Sequence, residues 1–103
     1  MDARQFQATK SARAAVDAFM SLAAQAQEEH GWLPCTGTIG DKVDFCMEEP
    51  RDGEMPLDCV KRCSEAPDHW SRGVWGPAAC VDGGPDPMKP GFRIFYFFGM
   101  AAS

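Results

Sequence analysis

The chain has 103 residues, of which 45% are hydrophobic and 24% charged, and this is globular composition on a length that supports one domain, residues 1–103, with one modest core. Its formal charge of −5 argues against direct nucleic-acid binding and against an anionic membrane surface. It permits a protein partner with a basic surface, the other reading of the acids being a solvated, solubilising face.

Residues 3–29 read as one long helix. Alanine is abundant, and Gly and Pro are absent before Gly31. Ala12, Val16, Phe19, Ala23 and Ala26 recur at helical spacing and predict a stripe that packs on a sheet, with a helix–helix dimer face as the alternative. Gly31 is the expected left-handed residue at the helix end.

Residues 32–48 read as a β-hairpin. Val43, Phe45 and Met47 alternate with Lys42, Asp44, Cys46 and Glu48, the pattern of a half-buried strand. Gly40-Asp41 suits a type II′ turn, whose register sets Cys35 directly across from Cys46 at a distance a disulfide tolerates. Residues 49–56 form a turn-rich linker, and Pro56 opens a short helix that runs to Glu65 before Pro67 stops it. Cys59 and Cys63 share one face of that helix. Val74 and residues 78–81 read as strand, with Pro77 at an edge or bulge. Residues 82–91 read as a stiff polar loop without regular structure.

The most apolar run is Phe92 to Met100. It is far shorter than the ~20 residues a membrane span needs, and its aromatic content predicts a strand. Phe92, Ile94, Tyr96 and Phe98 point one way; Arg93, Phe95 and Phe97 point the other. Both faces are apolar, so the strand should be interior and covered on each side. The long helix is expected over one face, and the short helix with the tryptophan segment over Phe95 and Phe97. The expected fold is therefore α+β: a long N-terminal helix packed on a small antiparallel β-sheet of about four strands, with one short helix inserted.

Five cysteines without an export leader point to thiols in a cytoplasmic protein rather than to a disulfide framework. Cys59, Cys63, His69 and Cys80 offer a zinc-ligand set for a structural or adaptor domain, although their spacing matches no standard finger. Cys59 stands near a helix start beside Lys61 and Arg62, a setting that a small thiol-redox enzyme would use. No nucleophile elbow or phosphate loop is present in the sequence.

Residues 41–58 hold seven acids against Lys42 and Arg51. Together with the tryptophans Trp32, Trp70 and Trp75 they suit a recognition surface. The sequence thus points to a non-enzymatic, inhibitor- or adaptor-type protein with no cofactor. It would occupy a partner's basic, nucleic-acid-binding surface, as small phage or plasmid anti-defence proteins do. Asp44, Glu48, Glu49, Asp52 and Glu54 are the expected acidic contacts and Trp70 and Trp75 the anchors. A homodimer is left open by the alanine stripe and the Phe95/Phe97 face.

Overall fold

A computed structural model describes residues 2–31 and 35–103. Its first element corrects the sequence reading. Residues Ala3–Ala12 form a strand, β1, and not the start of the helix. Phe6 and Ala8 alternate with Gln5, Gln7 and Thr9, and the strand pairs antiparallel with the C-terminal strand β4 (Arg93–Ala102) from Ala3↔Ala102 to Ala12↔Arg93. Local helix propensity differs by less than about 0.7 kcal/mol per ordinary residue, and an unbroken ladder overrides it.

Helix α1 spans Ala15–His30. It buries Ala18, Phe19 and Ala26, while Val16 and Met20 of the expected stripe are exposed. The stripe is rotated because the chain enters the helix from a strand, through the extended Ala14. Gly31 ends it with its N–H donating to Gln27 O at 2.8 Å; its φ of 98° is positive as expected, but its ψ of 170° is extended and not left-handed helical.

The expected hairpin is absent among the described residues; Trp32, Leu33 and Pro34 lie outside them. The Asp41 carboxylate gathers residues 36–41 into a loop. It accepts from Thr36 N (2.9 Å), Thr36 Oγ1 (2.7 Å) and Gly37 N (3.2 Å). Gly40-Asp41 accordingly sits in a single 3₁₀ turn, Ile39–Asp41, capped by Thr38 Oγ1. With no reversal at Gly40, the next strand, β2 (Phe45–Met47), pairs parallel to β3 (Ala78–Pro85). Cys46 stands opposite Ala79, and both Cys35 and Cys46 are free.

Helix α2, Pro56–Glu65, follows the expected bounds, with Pro56 in its first turn. β3 runs on through Asp82-Gly83-Gly84-Pro85 past a bulge, so the first part of the expected loop is strand. Asp82 supports that continuation: its Oδ1 accepts from Gly84 N at 2.8 Å and its carboxylate from Arg93 Nε.

The sheet order is β1-β4-β3-β2, mixed but mostly antiparallel, within an α+β fold. β4 is interior and covered on both faces, as its composition required. The covers are exchanged relative to expectation. α1 lies over Phe95 and Phe97, where Phe97 meets Phe19 at 5.9 Å and Phe45 at 5.6 Å between ring centroids. α2 lies over the opposite face, packing Cys59, Val60 and Cys63 on Ala79, Val81 and Phe98.

Candidate functional site

Lys42 organises the edge of the sheet around β2. The alternation in the sequence set it outward and Val43 inward, and the structure does the reverse. Lys42 is 5% exposed and Val43 is 92% exposed. The Lys42 ammonium donates to three backbone carbonyls, Gly73 (3.2 Å), Val74 (2.9 Å) and Gly76 (2.9 Å). Each N–H of the ammonium therefore has one acceptor. Burial pushes this amine below the usual lysine range, and Asp41 and Asp44 oppose the shift.

The clamp fixes the turn over residues 73–76, and Trp75 stands out from it, 70% exposed. Val74 is part of that turn and not of a strand. Ala78 N donates to Asp44 O at 3.1 Å, so the chain at Asp44 runs beside the end of this segment. Trp70 is 41% exposed, with its ring 4.9 Å from that of His69.

The five expected acidic contacts separate into two groups. Asp44, Glu49 and Asp52 are exposed. Glu54 is occupied by Arg62, which donates Nε to Oε2 at 2.8 Å and Nη2 to Oε1 at 2.9 Å, and by Arg51 N at 3.0 Å. The Arg62 contact holds its carboxyl down to about 2. Glu48 is turned inward, where its Oε1 lies 2.5 Å from His69 Nε2 and 3.7 Å from Cys63 Sγ. The hydrogen bond from His69 lowers its pKa.

Glu48, Cys63 and His69 place their ligand atoms within 4.8 Å of one another. Cys80 does not join them, because it faces the α1 side of the sheet while Cys59 and Cys63 face the other. The zinc set read from the sequence is thus divided by the sheet. The histidine also has its ring nitrogens set against a metal. Ser71 N donates to His69 Nδ1 at 3.1 Å, which makes Nδ1 the acceptor and assigns the proton to Nε2, where it serves Glu48. A histidine that ligates through Nε2 needs the opposite arrangement.

Ser71 Oγ also lies 2.8 Å from Nδ1, so serine, histidine and glutamate stand in line. Ser71 is 1% exposed and the Nδ1 lone pair already takes a backbone N–H, so the line ties the residue after β2 to the 70–72 turn. Burial raises the thiols, with Cys63 and Cys80 pushed up to about 12 and Cys59 raised as well. Protonated, buried thiols are the opposite of the exposed thiolate that redox chemistry requires. The nearby Lys61 and Arg62 do not offset that burial at Cys59; Arg62 is engaged by Glu54.

Among the described residues no helix is long and apolar enough to cross a membrane. No family model matches the chain, and neither the curated proteins nor the solved structures compared with it supply a match.

Sequence reasoning missed Lys42 and Val43. The available signal was a lone lysine closely flanked by Asp41 and Asp44, ahead of a tryptophan in a glycine-rich stretch, and its meaning depends on a contact across 31 to 34 residues of chain.

Proposed function

We propose that this chain is a protein-binding module that docks on a basic surface of its partner through Trp75, Val43 and Asp44, with Glu49 and Asp52 farther along the β2 edge. The observation that carries this reading is an exposed tryptophan on a turn held by a buried ammonium. Large exposed aromatic side chains are the usual anchors of interfaces, and a turn fixed in advance loses little freedom on binding. Asp44, Glu49 and Asp52 also face solvent, in a chain of formal charge −5. An acidic surface of this kind competes with nucleic acid for a basic one, so an inhibitor that shields a nucleic-acid-binding site is the specific form proposed.

The test is comparative capture from the source cell's lysate. The baits are the wild type, Trp75→Ala, and the combined reversal Asp44→Lys, Glu49→Lys, Asp52→Lys. The proposal expects a partner that both variants lose, that raised salt releases, and that added nucleic acid displaces. An identical captured set for all three baits sinks it. Glu48 is unsuitable for charge reversal because it is tied to His69 inside the fold.

A further inference from the structure

At the opposite end of the sheet from β2, strand β1 is an open edge. Among the described residues no strand pairs with its outer side. It is ten residues long, and its register with β4 runs without a break from Ala3 to Ala12. It contains no proline and no bulge, and of the devices that blunt an edge it has only the charged side chains of Arg4 and Lys10, which discourage pairing with a like-charged strand. Two grooves accompany it. One, of about 450 Å³, lies between β1 and α1 and is lined by Phe6, Ala8, Leu22, Ala26 and Ile39. The other, of about 290 Å³, lies between β1 and α2 beside Leu57 and Lys61.

The side chains of β1 carry a readable pattern. Phe6 packs on the α1 core, so Arg4, Phe6, Ala8 and Lys10 share the α1 face and Gln5, Gln7, Thr9 and Ser11 the other. The α1 face of the edge thus reads cation, apolar, apolar, cation at every second residue. The strand has no acid, although the whole chain carries formal charge −5. Among the described residues neither Arg4 nor Lys10 forms an ion pair. The acid on the groove rim, Glu29, accepts from Gln25 Nε2 at 3.1 Å and lies 3.9 Å from His30 Nε2.

We infer that β1 is a strand-addition site for an extended segment of a partner protein that carries carboxylates at positions i and i+6 and apolar side chains at i+2 and i+4. The added backbone pairs with the open edge. The two apolar side chains enter the groove beneath Leu22 and Ala26, and the two carboxylates stand opposite Arg4 and Lys10. A second copy of this chain is the wrong occupant, since pairing β1 with β1 brings two copies each of Arg4 and Lys10 together with no acid between them. This site uses other residues than the Trp75 face, although the ammonium that holds the Trp75 turn lies 6.0 Å from the Phe6 ring centroid, and it stands whether or not that reading holds.

The probe is a blocked nine-residue peptide, Thr-Glu-Thr-Val-Thr-Val-Thr-Glu-Thr, titrated into the labelled full chain and followed by amide NMR. The expected result is shift changes and slowed amide exchange along β1, with affinity about tenfold above that of the same peptide with lysine for glutamate. N-methylation of alternate peptide bonds should abolish binding. The double variant Arg4→Glu, Lys10→Glu should reverse the preference toward the lysine peptide, and its thermal melt confirms that it folds. Equal binding of the two peptides, no binding of either, or changes confined to other elements overturns the inference. So does a dimer in light scattering whose β1 amides are already protected, which would give the edge to a second copy.

Discussion

Replacing Lys42 with methionine keeps a long apolar stem and removes the ammonium. The carbonyls of Gly73, Val74 and Gly76 then lose their donor. An orphaned buried polar group costs about 1–3 kcal/mol, but Gly73 is exposed and water can replace the lysine there. The half-buried carbonyls of Val74 and Gly76 remain, for a loss of about 2–6 kcal/mol. Relief from burying a charge without a carboxylate partner offsets part of it, so the expected net loss is about 2–4 kcal/mol. In a domain of this size that is roughly a 10–20 °C drop in Tm. The pH dependence reports the opposing cost of burying the charge. The folded pKa of Lys42 lies below the ordinary 10.5, so between the two values the unfolded chain binds more protons and stability rises with pH. The stability of the wild type relative to Lys42→Met should therefore increase through that window. The assay is thermal and urea unfolding of both proteins at several pH values, with hydrogen exchange over residues 73–76. A variant within about 1 °C of wild type, or one that leaves exchange at that turn unchanged, refutes the clamp.

Phe97 is fully buried at the centre of the aromatic cluster, and Phe97→Ala should cost about 3–5 kcal/mol in urea unfolding; a loss below about 1 kcal/mol would show that cluster to be loosely packed. Burial raises the Cys80 thiol from 9.0 to about 12, so its contribution is present below pH 9 and lost as pH rises toward 12. Cys80→Ala should flatten that alkaline limb, and an unchanged limb counts against a thiol kept neutral by burial. One equivalent of zinc should leave the native mass without a retained ion and shift Tm by no more than about 1 °C. A retained zinc that raises Tm would show that His69 has exchanged its tautomer and that Glu48 and Cys63 ligate.

Some of the fold was readable because local chemistry and tertiary context agree. Phe95 and Phe97 on one face, with Tyr96 and Phe98 on the other, demand two covers, and the sheet order supplies them. Pro56 and Pro67 bracket α2, and the i, i+4 pair Cys59 and Cys63 is its buried face. The errors arose where a non-local partner decides. Residues 3–12 have helical composition but become a strand because β4 offers a ladder, more than ninety positions away at its Ala3 end. The Asp41 side chain consumes the donors that would otherwise have entered a hairpin, and periodicity cannot register a carboxylate folding its own loop. The site suffered the same limit. Trp75, Asp44, Glu49 and Asp52 were named from composition and stand exposed. Glu48 and Glu54 were named on the same grounds and are tied to His69 and Arg62, partners 21 and 8 residues away.

The two sheet edges carry opposite charge, and this has a physical consequence. β1 presents Arg4 and Lys10 without an acid, while the β2 side presents Asp44, Glu49 and Asp52. Complementary surfaces on one molecule favour head-to-tail association, which does not close on itself and grows into fibres. Edge geometry opposes that outcome. β2 has three residues, Phe45–Met47, against ten in β1, so a copy added through its β2 edge would leave most of the β1 backbone unpaired. On the proposed function and the strand-addition reading, β1 takes a foreign strand and the Trp75 face meets a foreign basic surface. The two sites approach each other at Lys42, whose ammonium holds the 73–76 turn and lies 6.0 Å from the centroid of the Phe6 ring.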